Sequence, residues 1–229
     1  MKAVILAGGY GKRLRPLTEK TPKPLLEVAG KPILRWQIDW LYRHGVKEFV
    51  LCVGYLREKI IDYVNSLKDL EIEVHYSVET EPLGTGGAIK RAEEFLRSEN
   101  VFFVLNGDVI TNLDPTRLLG RVGDAVGALA LVQLRSPYGV VETDSKGRIT
   151  AFREKPLLRD YWINAGVYCF KPEIFDYLPE RGDIERTSFL TLSEQRKLAS
   201  VKFVDVYWRS VDTYKDLEAV SRELPEVVW

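Results

Sequence analysis

Three glycines occupy four positions in the run Leu6-Ala7-Gly8-Gly9-Tyr10-Gly11-Lys12-Arg13-Leu14-Arg15-Pro16. Without Cβ atoms they let the backbone approach a phosphate and aim its N–H groups there. The planar fork of Arg13 suits phosphate oxygens. Farther on, Thr21-Pro22-Lys23-Pro24-Leu25 brackets a lysine between two prolines. Proline fixes its own φ and restricts the residue before it, so the chain around Lys23 is stiff. A cation that only met solvent would need no such frame. In Asn106-Gly107-Asp108, the aspartate follows an apolar run and could hold a divalent cation against phosphate oxygens. The chemistry these residue types suggest is the handling of phosphates.

Two familiar phosphate motifs do not fit. The run 8–13 lacks the spacing and the Ser/Thr of a P-loop, and the third glycine of the dinucleotide fingerprint. Gly54 stands where a ribose-binding acid would close the second strand. These absences argue against an NAD-dependent oxidoreductase.

The elements that must position these residues alternate. Lys2–Ala7 and Glu48–Val53 read as buried strands, as do 71–76 and 101–105; 31–44, 56–67 and 86–96 read as helices. Gly45 suits the position just past a helix end. Strands alternating with helices of this length predict βαβ units and a mostly parallel sheet covered on both faces. The remainder is strand-rich at 125–134, 139–142, 148–153, 164–170 and 201–207, with helices expected at 172–178, 190–198 and 213–222. A single α/β domain over 1–229 with a strand-rich insertion is the expectation. In such a sheet ligands bind at the carboxyl ends of the strands, where Gly8 and Asp108 fall.

The run LAGGYGKRLRPLTEKTPKPLLEVAGKPIL (residues 6–34) resembles the signature of the sugar-1-phosphate nucleotidylyltransferases. Further matches follow in that family's order: Glu79-Thr80-Glu81-Pro82-Leu83-Gly84-Thr85-Gly86-Gly87-Ala88, Asn106-Gly107-Asp108, Tyr138-Gly139-Val140-Val141-Glu142, Glu154-Lys155-Pro156 and Ile163-Asn164-Ala165-Gly166-Val167-Tyr168. Together they cover nearly the whole chain. The resemblance implies a Rossmann-like α/β fold. It also implies a Mg²⁺-dependent reaction in which a sugar 1-phosphate attacks the α-phosphorus of an NTP and pyrophosphate leaves.

Residue by residue, it implies that Arg13 grips the triphosphate and Lys23 sits between the reacting phosphates. Leu6, Ala7, Gly8, Gly9, Gly11, Glu79, Pro82, Gly84, Thr85 and Asn106 would line the nucleotide. The glycines from Gly84 to Gly87, lying before a helix, would let the base pack on backbone. Lys155 would meet the sugar phosphate catalytically, with Glu154 on a sugar hydroxyl and Gly139 and Asn164 lining the sugar pocket. Asp108 would be one metal ligand. Where the family carries a second Asp this chain has Ser210, so Asp212, two residues on, either supplies the carboxylate or caps the helix that follows. Glu79 only accepts hydrogen bonds, which suits the two adjacent donors of guanine.

The resemblance is strongest to short heptose- or mannose-1-phosphate guanylyltransferases. A glucose-1-phosphate thymidylyl- or uridylyltransferase is the near alternative. A catalytically weak nucleotide-sugar-binding subunit is the distant one, suggested by Ser210.

Composition frames this reading. Lys and Arg total 33 and Asp and Glu total 33, so a globally basic nucleic-acid binder is not expected. Residues 1–35 nevertheless hold eight Lys/Arg and two Glu, a local net of +6 where two polyanions would meet. No apolar run is long enough to span a bilayer, and no signal-peptide layout opens the chain, so a cytoplasmic protein is expected. At 229 residues the catalytic domain fits without a β-helical extension. Cys52 and Cys169 read as buried thiols. Eight Asn/Gln against 18 Arg lean toward a thermophile. The apolar tail Val227-Val228-Trp229 suggests a contact surface of a homo-oligomer.

Overall fold

The computed structural model describes residues 1–229. Along the chain, β1 (Lys2–Ala7) leads through α1 (Leu17–Lys20) to a small ribbon of β2 (Glu27–Val28) and β3 (Lys31–Pro32). Then follow α2 (Ile33–Arg43), β4 (Glu48–Val53), α3 (Arg57–Ser66), β5 (Glu73–Val78), α4 (Gly84–Arg91), β6 (Phe102–Asn106), β7 (Val109–Thr111) and α5 (Thr116–Val122). The second half comprises β8 (Gly127–Arg135), the ribbon β9 (Val140–Thr143) and β10 (Ile149–Arg153), the long β11 (Leu157–Phe170), α6 (Ser188–Glu194), β12 (Leu198–Phe203), β13 (Trp208–Ser210) and α7 (Tyr214–Glu223).

Seven strands form one sheet in the order β12-β8-β11-β6-β1-β4-β5. The pairs β1/β4, β1/β6, β4/β5 and β8/β12 are parallel, and only β11 runs against its neighbours. The expected mostly parallel α/β sheet is what forms. Both faces are apolar because the strands carry continuous hydrophobic runs. Ala3, Ile5 and Ala7 face one core with α2, α3 and α5, while Val4 faces the other with α4, α6 and the turn at 172–176. Phe102, Phe170 and Phe175 are essentially fully buried, each contributing roughly 1.5–3 kcal/mol relative to exposure. A third core ties the early signature to the C-terminal helix: Leu14, Leu26, Val28 and Ile33 pack with Ile110, Val211, Val220 and Leu224.

Several expectations are corrected. The segment 172–176 is a 3-10 helix, α6 ends at Glu194, and Leu198 already belongs to β12. Helix α5 and the β7/β13 ribbon were not foreseen. Trp229 stacks on Trp36, with centroids 5.0 Å apart, and packs on the core, while Val228 beside it is exposed. Cys52 and Cys169 are buried free thiols, as expected; burial pushes Cys169 up to about 12 and Cys52 well above its ordinary value. No helix is long and apolar enough to cross a membrane.

Candidate active site

The parallel strands β1, β4 and β6 end on the same edge of the sheet, and their loops build the site. A cleft of about 250 Å³ is lined by Leu6, Ala7, Gly9, Gly11, Lys12, Arg13, Lys23, Pro24, Gly107, Asp108 and Asp212. Eight of these were expected from the sequence. Lys12, Pro24 and Gly107 were not singled out, although each stands inside a quoted motif.

Lys23 is the hub. Its Nζ donates to Asp108 Oδ2 and to Asp212 Oδ1, both at 2.9 Å. Arg13 also donates to Asp212 Oδ1, at 2.8 Å, and the Ser210 hydroxyl donates to Asp212 Oδ2 at 3.0 Å. Burial raises the Asp212 carboxyl, but the Lys23 ammonium, with help from Ser210 and Arg13, outweighs it and holds the group below its ordinary value. Asp212 is thus an anion at neutral pH, stabilised by two cations.

The backbone explains how Asp212 arrives there. Strands β13 and β7 pair antiparallel, placing Ser210 opposite Val109, and the Val211 N–H donates to the Asp108 carbonyl at 2.9 Å. The ribbon therefore brings the residues after Ser210 beside Asp108. Helix α7 does not need Asp212 as its cap. Thr213 takes that place in a capping box, with Thr213 Oγ1 accepting from the Asp216 N–H and the Asp216 carboxylate accepting from the Thr213 N–H. Of the two roles weighed for Asp212, the geometry removes the helix cap and sets the carboxylate in the cleft, on Lys23. Gly107 is held equally firmly, since a Cβ there would be driven into the Leu6 carbonyl.

Glu79 follows β5 and turns inward. Its Oε2 accepts from the Leu83 N–H at 3.1 Å, and Gly8 and Gly54 leave it room: a Cβ on Gly8 would lie 2.5 Å from Glu79 Oε1. Burial raises its carboxyl above the ordinary value, with the Leu83 N–H and Arg91 only partly offsetting this. Pro82 lies in the same turn, between Glu79 and Leu83.

The glycines at 84–87 have a packing part that the sequence did not show. They form the first turn of α4 rather than a loop before it, and their bare Cα atoms receive the segment 179–183. The Gly182 carbonyl accepts from the Gly86 N–H at 2.9 Å and the Gly87 N–H at 3.2 Å. The Thr85 hydroxyl donates to Glu185 Oε2 and accepts from the Ile184 N–H. Glycine here permits helix-to-chain contact.

The residues expected to hold the sugar phosphate do not line the cleft. Gly139, Phe152 and Glu154 cluster at the base of the β9/β10 ribbon, and Lys155 Nζ lies 3.5 Å from Glu154 Oε1. Asn164 sits on β11, donating to Tyr168 Oη at 2.8 Å and accepting from the Gly166 N–H at 3.0 Å. At Gly166, within a register shift of β11, the backbone lies against the Asn106 side chain.

Residues 2–227 match the family model for nucleotidyl transferases, nearly the whole chain. The chain belongs to the nucleotidyl transferase family. This nucleotidyl transferase is 38% identical to a mannose-1-phosphate guanyltransferase of Eremothecium gossypii over 99% of its own length and 67% of that protein's. To the enzyme of that name in Saccharomyces cerevisiae it is 37% identical over 94% of its length and 62% of the relative's. The chain thus spans about two thirds of these relatives. Among solved structures, HddC from Yersinia pseudotuberculosis, complexed with GMP-PN, aligns with 97% of this nucleotidyl transferase and 99% of its own chain, at TM-score 0.74 and 27% identity. A Bacillus anthracis structure covering all of this chain and aligned over 97% of its own has TM-score 0.78 at 21% identity, a likeness of fold.

Proposed function

We propose that this nucleotidyl transferase joins GTP and mannose 1-phosphate into GDP-mannose and pyrophosphate. Support for the substrates comes from the names of the relatives at 37–38% identity and from the acceptor-only carboxylate of Glu79. The observation that carries the reaction is Lys23 Nζ bridging Asp108 and Asp212 beside the glycine loop.

In this reading an oxygen of the sugar 1-phosphate attacks the α-phosphorus. A new P–O bond forms, and the bond to the β-phosphate breaks with its electron pair leaving on pyrophosphate. The barrier is chiefly electrostatic, because two polyanions must meet and charge then gathers on the leaving group. Arg13 and Lys12 face the triphosphate from the glycine loop. Lys23, fixed by two carboxylates, holds its charge at the junction of the substrates. The Glu79 carboxylate accepts the paired donors of guanine, and the sugar 1-phosphate extends out of the cleft toward Lys155 and Glu154, which stand outside it beside the β9/β10 ribbon.

The donor set fits magnesium. Asp108 and Asp212 converge on one ammonium, so two hard oxygen ligands can share one cation; Mg²⁺ at phosphate sites is held by one or two carboxylates together with the phosphates. Asp108 and Asp212 would hold the ion, which would supply neutralisation of phosphate charge.

The test is pyrophosphate release with Mg²⁺ from each NTP crossed with a panel of sugar 1-phosphates. The highest kcat/KM is expected for GTP with mannose 1-phosphate. A clear preference for dTTP or UTP with glucose 1-phosphate, or tight binding without turnover, would overturn the proposal.

A further inference from the structure

Helix α2 carries three side chains that donate to carbonyls outside it. Trp36 Nε1 reaches Val28 O at 3.0 Å, and Trp40 Nε1 reaches Leu113 O at 2.9 Å. Gln37 differs from both: its Nε2 donates to Asn106 O at 3.0 Å and to Val109 O at 2.8 Å. Strand β6 ends at Asn106 and β7 begins at Val109, so a single amide nitrogen holds the two residues flanking Gly107-Asp108. An amide has two N–H donors, and both are committed here. The side chain is 1% exposed; its nitrogen is fully partnered while its Oε1 meets no partner, so what the buried amide supplies is its pair of N–H donors.

The rest of the turn is gripped from other directions. Gly107 lies against the Leu6 carbonyl, and the Asp108 carbonyl accepts from the Val211 N–H. What these contacts leave to project is the Asp108 carboxylate, with Oδ2 on Lys23. We propose that Gln37 is a positioning residue for Asp108, clamping both ends of its turn so that the carboxylate is fixed before any substrate or cation arrives. The cation part of this inference rests on the metal role given to Asp108 above. Partners that orient a metal ligand without touching the metal typically matter 10–100-fold in affinity or activity.

The experiment compares Gln37→Met, which keeps the length of the side chain and removes both donors, with Trp40→Phe, which removes a buried donor from the same helix but one aimed at Leu113. Mn²⁺ serves as the probe, its affinity read by water-proton relaxation in the absence of nucleotide, alongside thermal melting and steady-state kinetics. Q37M is expected to bind Mn²⁺ roughly 10–100-fold more weakly, with kcat falling while KM for GTP stays near that of the wild type. W40F should melt at lower temperature with unchanged Mn²⁺ affinity. Unchanged affinity in Q37M, or equal weakening in W40F, overturns the inference. Should Q37M fail to fold, Gln37→Glu, which keeps one donor only when its carboxyl is protonated between the two carbonyls, should weaken Mn²⁺ by at least an intermediate factor; wild-type affinity there would also overturn it. Asp108→Asn separates the two readings. If D108N binds Mn²⁺ as the wild type does, the metal role of Asp108 fails and this inference fails with it; if D108N loses Mn²⁺ and Q37M does not, only Gln37 is misassigned.

Discussion

Lys23 Nζ and Asp212 Oδ1 lie 2.9 Å apart although 189 residues separate them in the chain. The contact joins the proline-framed segment to the residues after β13, and Asp108 shares the same ammonium. Lys23→Met would leave two carboxylates facing each other with only Arg13 nearby. Turnover is expected to fall about 10²–10³-fold, as when one group stabilising transition-state charge is removed. Stability should fall by about 1 kcal/mol, since the pair is partly open to solvent. Pyrophosphate release and a thermal melt read the two effects separately; wild-type turnover would show that the ammonium does not serve the reaction.

Gly107 offers a purely steric prediction. A methyl group at this position collides with the Leu6 carbonyl, which is backbone in the central strand and cannot swing away. Gly107→Ala should cost about 3 kcal/mol, at the upper end of overpacking costs, and displace Asp108. Denaturant melts report the first effect and kcat the second; a variant of wild-type stability would show that the β6–β7 turn is softer than its contacts indicate.

Thr213→Ala tests whether Asp212 is free of the helix. Losing an N-cap costs about 0.5–2 kcal/mol, or a few degrees in Tm for a chain of this size. Because Asp212 is held by Lys23, Arg13 and Ser210, kcat should stay near wild type. A large loss of kcat would mean that the capping box also sets the Asp212 carboxylate.

The sequence reveals the parts of this molecule that rest on local signals. Strands β1 and β4 are legible because each is a short apolar run ending in glycine, and both fall at their expected bounds. Arg13, Lys23 and Asp108 are legible because glycine and proline frame them. Strands β7 and β13 have three residues each and pair across about a hundred positions, so no local pattern marks them. The role of the glycines at 84–87 is hidden for the same reason: the segment they receive lies almost a hundred residues downstream. Two signals were present but unread. Thr213-Tyr214-Lys215-Asp216 has capping-box spacing, with Asp where Glu or Gln is usual. Gln37 is a polar residue on the α2 face formed by Ile33, Leu34, Ile38 and Leu41, a placement that requires buried partners.

Glu79 allows base choice and pH dependence to be tested together. A carboxylate can accept from both N1–H and N2–H₂ of guanine, whereas Gln presents one acceptor and one donor. A bidentate pairing is worth about 1–3 kcal/mol in discrimination, so Glu79→Gln should lower kcat/KM for GTP roughly 10–100-fold while changing UTP or dTTP use little. The pH sign follows from burial, which raises the Glu79 carboxyl above its ordinary value. Protonation removes an acceptor, so GTP use should be complete above that raised value and decline as pH falls through it, ahead of any decline expected from an ordinary glutamate. In E79Q this acid limb should disappear. Profiles of kcat/KM against pH for GTP and UTP, in both proteins, decide the matter: an acid limb that persists in E79Q, or one equally strong with UTP, would remove Glu79 from base recognition.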